Sequence, residues 1–472
     1  MVDDGHGSLD DDGTSSRPPF LDMPDSHPTG GRRGTHGPQG VGVLGAMAIG
    51  IGGMVGGGIF AVLGTAVELA GGATPLSFAL AGSIALLTAH SYARLSATHP
   101  SAGGTVSFLD RAFGADLWTG TINLLLWFSY LVTIALYASA FGAYGARLWT
   151  PHPSPLLHHA LISAAIVLPV AINLLNAEFV SRTEIYIVVA KLLVLLVVAI
   201  AGTQSIDPAR LGVGTWPDLP RVLTGGMIIF VAYEGFELIA NAGEDARDPK
   251  RSLPPAFYAS VLFVIALYVA LSAVTVGSLP LEEIDAASEY ALAAAARPAL
   301  GPAGFTMVGV AALLSTFSAV NATIYGNGRL AYVLAKEGEL PELFERRVWN
   351  RPVGAVLATG FLALLLANLL DVTQIAIIAS AGFLMIFTAV NLSAWKLARS
   401  IRMHPALALL SAFASGSALI LLVVHTSRDN PIALVLIAFS WCGCLIGEAV
   451  YQRVSGREFT VGDDPPTMPD SR

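Results

Sequence analysis

The chain has 472 residues, of which 54% are hydrophobic and only 13% are charged, and its mean hydropathy is +0.64. Soluble globular chains carry about 25% charged residues, so this composition excludes an ordinary soluble enzyme, a disordered chain and a coiled coil. The net charge of −8 says less than the placement of lysine and arginine, and the composition indicates a protein that crosses a membrane many times.

Polar tails flank the apolar part of the chain. Residues 1–38 carry scattered aspartate, proline, glycine and serine and lack the apolar surface that folding requires. We predict a disordered cytosolic tail there rather than a signal peptide, because no apolar core of about 7–15 residues lies near the start. A second cytosolic tail is predicted at 453–472, which leaves 39–452 as one membrane domain.

The membrane domain contains twelve apolar stretches that approach or exceed the roughly 20 residues needed to cross a bilayer. They are predicted at about 42–67, 74–97, 117–147, 157–175, 183–203, 221–242, 255–279, 304–334, 353–370, 373–397, 405–425 and 431–451. With the N-terminus inside, 20 of the 26 lysine and arginine residues fall in inner segments and five in outer loops. Positive residues favour the cytosolic side, so we predict a multi-pass protein of the cell membrane with both termini in the cytoplasm.

The first span carries the run Gly56-Gly57-Gly58-Ile59-Phe60 in mid-membrane, shortly after Gly53. Such interruptions of a membrane helix survive only against protein or a water-filled cavity. An opened backbone would present N–H groups, and the following half-helix would offer the positive end of its dipole to a carboxylate. The alternative is close helix packing through small residues.

The sixth span carries two carboxylates, Glu234 and Glu237, on either side of Gly235. A charge at mid-bilayer costs about 2.5–3.5 kcal/mol on the mildest scale, so such residues are functional by default. Alternatively, Glu237 reaches water at the cytosolic end and Glu234 faces an open vestibule. Broken first and sixth spans, five helices apart, are typical of two inverted repeats, here about 42–203 and 221–397, with a site between the breaks.

Lys191 lies well inside the fifth span, among apolar neighbours. Either its stem extends to the membrane interface, or it is an interior amine that exchanges a proton during a cycle or acts as a fixed cation. The eighth span carries a polar stripe whose hydroxyls either line the site or bond to helix carbonyls. The stripe consists of Ser315, Thr316, Ser318, Asn321 and Thr323.

Four motifs, in order, resemble those of the amino acid–polyamine–organocation superfamily of permeases, over roughly residues 40–450. The first-span run resembles its glycine-rich substrate loop, usually Gly-Ser-Gly-Ile-Phe, with Gly57 in place of the serine. Arg94 and Val106 stand where the family often has glutamate and tyrosine. The other motifs run from Tyr92 to Gly114, from Phe230 to Pro254 and from Ser315 to Pro341.

The resemblance implies an all-α integral membrane fold of the leucine-transporter type, with ten core helices in two inverted halves and two more at the C-terminal end. It implies that the substrate carboxylate lies on backbone N–H groups of the first break, that its ammonium meets carbonyls of both breaks, and that the Phe230 ring is an outer gate. The implied substrate-binding residues are Gly53, Gly56, Gly57, Gly58, Ile59, Phe230, Val231, Tyr233 and Glu234.

The resemblance also implies that Lys191 replaces a sodium ion, as an amine does in proton-coupled members, beside the first-helix backbone and Ser315 or Ser318. Its proton would then couple transport to alternating access. Glu234 and Glu237 could attract a cationic side chain, with Glu237 as a candidate for side-chain recognition.

The function predicted from these features is secondary active transport of amino acids, by proton symport. One alternative is a proton-independent exchanger of amino acids or amines. Another is a membrane enzyme such as a prenyltransferase, with Mg²⁺ on Asp245 and Asp248, but the second aspartate-rich loop that it needs is lacking. We expect amino acids, protons and the lipid bilayer as partners, and no cofactor, metal ion or nucleic acid.

Overall fold

The computed structural model describes residues 40–114, 116–175, 178–337, 340, 344 and 353–455. The predicted tail 1–38 and most of the tail predicted at 453–472 lie outside these residues. The described α-helices are α1 Val43–Met54, α2 Gly58–Ala70, α3 Thr74–Thr98, α4 Thr105–Phe113, α5 Leu117–Trp149, α6 Pro155–Leu175, α7 Glu178–Gly202, α8 Leu219–Ile228, α9 Leu238–Asn241, α10 Pro249–Ser278, α11 Leu281–Asp285, α12 Ala291–Glu337, α13 Val353–Leu369, α14 Val372–Lys396, α15 Pro405–Asp429 and α16 Pro431–Ser455. Short 3-10 helices lie at Gly71–Ala73, Thr203–Ser205, Pro208–Leu211, Val213–Thr215, Ile229–Tyr233 and Ser288–Tyr290.

Ten segments of the described chain are long and apolar enough to cross a membrane. The first and sixth predicted spans are broken helices, formed by α1 with α2 and by α8 with α9. One 3-10 turn joins α2 to α3 so closely that the two form a single apolar segment, and α13 is shorter, with 17 residues. Each of the twelve predicted stretches therefore coincides with a helix or a broken helix, and the predicted all-α membrane fold is confirmed.

Aspartate side chains fix the start of several long helices. Asp116 accepts a hydrogen bond from the Thr119 N–H at 2.9 Å at the start of α5, and Asp371 forms a capping box with Gln374 at the start of α14. Asp248 caps α10 in the same way, through the Arg251 N–H at 3.3 Å. Such caps satisfy N–H groups that have no acceptor within their own helix, so polar residues mark where the apolar segments begin.

Alternate loops meet at two opposite ends of the helix bundle. At the end predicted to be inner, Arg94 donates to the carbonyl of Arg402, and the Lys396 ammonium lies 4.9 Å from the centre of the Phe113 ring. At the other end, the Arg147 guanidinium lies 5.0 Å from the centre of the Tyr290 ring. This grouping agrees with the alternation of loops that the charge pattern predicts.

The broken helices lie inside the bundle, where α3, α5, α10, α12 and α14 contact them or each other. The core that these helices form includes fully buried aromatic rings, among them Tyr92, Phe236 and Phe387. By contrast, α15 and α16 expose large apolar side chains such as Phe413 and Phe439, as expected of helices that face lipid.

Candidate functional site

The first break separates α1 from α2. Helix α1 ends at Met54, residues 55–57 are not helical, and α2 begins at Gly58. Within the described chain, the N–H groups of Gly56 and Gly57 donate to no other protein group, and the N–H of Gly58 is among those that a helix start leaves without an acceptor in its own helix. Three successive buried N–H groups therefore meet the positive end of a helix dipole, an arrangement suited to an anion.

The second break faces the first one. Helix α8 ends at Ile228, a 3-10 turn covers Ile229–Tyr233, and α9 begins only at Leu238. Gly235 has a φ of +82°, in the left-handed region, and a Cβ there would lie 2.5 Å from the carbonyl carbon of Gly53. A Cβ at Gly53 would lie 2.9 Å from the Gly235 oxygen, so the two breaks touch backbone to backbone and only glycine fits on either side.

Two buried tyrosines connect the breaks. The Tyr268 hydroxyl, from α10, donates to the Met54 carbonyl at 2.7 Å and lies 3.3 Å from the Ala232 carbonyl. The Tyr137 ring, from α5, lies against Gly57, and its hydroxyl donates to Glu234 Oε1 at 2.9 Å. Sequence reasoning missed both residues, because a tyrosine inside an apolar helix carries no signal of what it faces.

Both carboxylates of the second break are buried, and α5 holds them. Glu234 is 4% exposed and accepts a second hydrogen bond at Oε2, from Thr133 at 3.2 Å. Glu237 is 1% exposed and accepts a hydrogen bond at Oε1, from Tyr130 at 2.9 Å. The alternatives in which Glu237 reaches water or Glu234 lines an open vestibule do not describe this structure.

The rest of the second break is held by α14 and α3. The N–H of Val231 donates to Ser380 Oγ at 3.0 Å, and Ser380 in turn donates to the Ile228 carbonyl at 2.6 Å. The Tyr233 hydroxyl donates to the Phe78 carbonyl at 2.9 Å. The non-helical backbone of the second break is therefore paired by neighbouring side chains, as a membrane interior requires. On the side of the first break, Ile59 in α2 is fully buried.

Phe230, the predicted outer gate, is fully buried in an aromatic cluster. Its ring packs edge-on against Phe387 of α14, with the centroids 5.8 Å apart. Phe387 also contacts Tyr92 and Phe236, at 5.8 and 5.2 Å. Contacts of this geometry stabilise more than the buried area alone, so the cluster ties the second break to α14 and α3.

Lys191 and Ser315 contact the first break from two other helices. The Lys191 ammonium, from α7, donates to the Gly52 carbonyl at 3.1 Å, and the residue is only 3% exposed. The Ser315 hydroxyl, from α12, lies 2.5 Å from the Gly56 carbonyl and 3.1 Å from that of Val55. Ser318 lies one turn further along α12, is half-buried and makes no hydrogen bond with the described residues. The structure thus buries the Lys191 side chain against α1.

Two other polar residues of α12 make hydrogen bonds away from the first break. Thr316 donates to the Ala312 carbonyl of its own helix at 2.7 Å, while Asn321 accepts a hydrogen bond from Asn173 of α6 at 2.8 Å. The stripe therefore joins helices as well as facing the break.

One carboxylate of the acidic pair considered for Mg²⁺ has a structural role, since Asp248 caps α10. At Asp245 it is the backbone carbonyl that accepts a hydrogen bond, from the Val41 N–H at 2.7 Å. Among the described residues, no group of three or more histidine, cysteine, aspartate or glutamate side chains is arranged to hold a metal ion.

Comparison with known proteins places the chain in a family. The family model described as amino acid permease matches residues 41–446. An uncharacterized protein of Methanocaldococcus jannaschii is 37% identical over 88% of this chain and 95% of its own length. The inner membrane transport protein YbaT of Escherichia coli is 33% identical over 83% of this chain and 90% of its own length. The cationic amino acid transporter 9 of Arabidopsis thaliana is 28% identical over 65% of this chain and 57% of its own length. With its broken, glycine-lined helices inside an all-α membrane bundle, the chain belongs to the amino acid permease family.

Proposed function

We propose that this permease carries amino acids across the cell membrane by alternating access and proton symport, with both termini in the cytoplasm. The observation that carries the proposal is the first break, where N–H groups of three buried glycines meet the start of α2. Such a helix start favours a carboxylate, which every α-amino acid has.

The substrate would bind between the two breaks. Its α-carboxylate would accept hydrogen bonds from the N–H groups of the first break, and its ammonium would donate to carbonyls of both. Gly53 and Gly235 keep the breaks close enough for one small molecule to touch both. The proposed contacts are Gly53, Gly56, Gly57, Gly58, Ile59, Phe230, Val231, Tyr233 and Glu234.

Lys191 is the proposed coupling residue. Its ammonium bonds to the Gly52 carbonyl, so it holds the end of α1 to α7. Ser315 holds the same break from α12, and Ser318 lies on that helix one turn away. Loss of the proton would remove the charge that strengthens the Lys191 bond and would free α1 to move. Proton transfer and the motion of α1 would then be one event.

Uptake into proteoliposomes tests the proposal. The native chain, Lys191→Ala and the control Lys250→Ala, an exposed lysine at the start of α10, are each offered labelled amino acids with and without an inward proton gradient. We expect the gradient to raise uptake by the native chain and by Lys250→Ala, and to leave uptake by Lys191→Ala unchanged.

Two outcomes would contradict this account. If the gradient has no effect and only vesicles preloaded with amino acid take up label, the protein is an exchanger and Lys191 is not the coupling site. If no amino acid moves, the substrate class is wrong, and amines are the next solutes to test.

A further inference from the structure

Glu234 and Glu237 form a buried acidic pair in the second break. Both are more than nine-tenths buried, and among the described residues no lysine, arginine or histidine side chain lies within ion-pair distance of either. Glu237 Oε2 makes no hydrogen bond at all within the described chain. Taking a carboxylate out of water costs several kcal/mol unless a charge compensates for it. The pair is therefore an incomplete site that a cation would complete.

Helix α5 positions these carboxylates without neutralising them. Tyr130, Thr133 and Tyr137 lie on one face of the helix and donate three hydrogen bonds to the two carboxylates, all from neutral hydroxyls. Hydrogen bonds from charged donors are roughly twice as strong as those from neutral ones. A cationic donor that reached the pair would thus form the stronger bond and could replace a hydroxyl.

The Tyr137 side chain spans the distance between the first break and the acidic pair. Its ring rests against Gly57, where the substrate carboxylate is proposed to bind, and its hydroxyl rests on Glu234. One phenol ring and one hydrogen bond therefore separate the two points. This span is comparable to the stem between the α-carbon and the terminal cation of a basic amino acid.

We propose that Glu234 and Glu237 form the subsite for the cationic side-chain group of a basic amino acid, so that ammonium- or guanidinium-bearing amino acids are the preferred substrate class. The inference rests on the proposed function, because it needs an amino acid between the breaks. On binding, the substrate cation takes the place of the Tyr137 hydroxyl on Glu234 and occupies the open oxygen of Glu237.

The test compares lysine with leucine, an apolar amino acid that lacks the terminal cation. Purified full-length chain in proteoliposomes takes up labelled lysine or labelled leucine, and unlabelled lysine competes against leucine. The variants are E234Q, E237Q and Y137F, with E244Q as the matched control, since Glu244 is an exposed glutamate beyond α9. Glutamine keeps the size and hydrogen-bonding capacity of glutamate, which limits damage to the fold.

We expect the native chain and E244Q to prefer lysine. E237Q should raise the half-saturating concentration of lysine about tenfold or more, as loss of one partner of a buried charge pair does, with that of leucine little changed. E234Q should raise the half-saturating concentration of lysine by a similar factor and that of leucine by much less, since Glu234 is also a proposed contact of the substrate. Y137F removes a competing hydroxyl but no charge, so it should keep lysine transport. If Glu234 only stabilised the packing of α5, E234Q and Y137F would raise the half-saturating concentrations of lysine and leucine alike.

The outcomes separate this inference from the proposed function. If the native chain takes up leucine, but lysine is neither taken up nor competes with leucine, the proposed subsite is wrong and the proposed amino acid transport is unaffected. Lysine transport that E234Q and E237Q do not change would also overturn it. If the native chain neither carries nor binds any amino acid, in uptake or in a thermal-shift assay, the proposed function fails and the subsite fails with it.

Discussion

At the scale of single residues, Gly57 and Tyr137 fit each other by size. The resemblance to the permease superfamily leads one to expect serine at position 57, but a Cβ there would overlap Cδ1 of Tyr137 and lie 2.7 Å from its Cγ. The loss of the side chain at 57 is therefore matched by an aromatic ring that covers the same backbone. Helix α5 therefore covers part of the first break.

This fit predicts that Gly57→Ser damages the site. The new side chain would push the Tyr137 ring from its place, at a cost of about 1–3 kcal/mol typical of overpacking, and would disturb its bond to Glu234. We expect a lower apparent melting temperature in detergent and slower amino acid uptake.

The control is Gly443→Ser in α16, where a Cβ would meet nothing within 4 Å, and it should leave both values unchanged. Tyr137→Ala should cost less stability in the Gly57→Ser background than in the native chain, because the new side chain already displaces the ring. Equal stability of Gly57→Ser and the native chain would show that the ring moves away at no cost.

At the scale of helices, the two breaks determine where polar backbone lies inside the bundle. The break between α1 and α2 and the break between α8 and α9 expose polar backbone that packed side chains must pair. Ser380 pairs one end of the second break, and Tyr268 pairs carbonyls of both breaks at once. The breaks thus keep their shape because intact helices on either side supply hydroxyl groups.

Tyr268→Phe should loosen this arrangement. It removes the donor to the Met54 carbonyl and leaves that buried oxygen short of a partner, which costs about 1–3 kcal/mol. We expect a lower melting temperature and a higher half-saturating substrate concentration, because both breaks become less ordered.

Tyr186→Phe is the matched control for Tyr268→Phe, because Tyr186 of α7 is 76% exposed. A melting temperature for Tyr268→Phe equal to that of Tyr186→Phe would mean that the Met54 carbonyl finds another partner and that the hydroxyl is dispensable.

At the scale of the whole molecule, segments far apart in the sequence meet at the end of the bundle that is predicted to be inner. The predicted inner end holds α4, the Arg94–Arg402 contact and the pairing of Val41 with Asp245, so segments distant in the sequence close it together. Asp110 lies in α4 at this end, outside the membrane spans. The pKa of Asp110 is raised to about 6, mainly by burial, which a hydrogen bond with Asn123 partly offsets and the charge of Asp116 reinforces.

The raised pKa of Asp110 predicts how stability depends on pH. An unfolded aspartate has a pKa of about 3.9, so between about pH 4 and pH 6 the folded chain binds more protons than the unfolded chain. Stability should therefore fall as the pH rises through this window, by an amount on the order of 1–3 kcal/mol, and stay low above it.

Asp110→Asn should remove this part of the dependence. Melting temperatures of the purified protein at pH 5 and pH 7.5 should differ less for Asp110→Asn than for the native chain. Glu283→Gln, which changes an exposed glutamate of α11, should behave as the native chain does. An equal pH response of all three proteins would mean that Asp110 ionises without cost.

Much of the architecture follows from local features of the sequence. The twelve stretches, the alternation of loops and both helix breaks were predictable, because a bilayer imposes a minimum helix length and makes each glycine run or intramembrane charge an exception. Lys191 was recognisable as a candidate functional residue for the same reason, since a lysine inside an apolar membrane span is costly whichever way the helix faces.

Composition, glycine runs and intramembrane charges are enough to predict a membrane protein with broken helices and with charges inside them. They do not predict the contacts: Glu234 and Glu237 meet the hydroxyls of α5, Gly53 touches Gly235, and Tyr137 and Tyr268 bridge the breaks. Apolar helices in lipid carry little pattern to show which side turns inward. Packing between helices far apart in the chain determines which face of each helix turns inward, and therefore which residues form the candidate site.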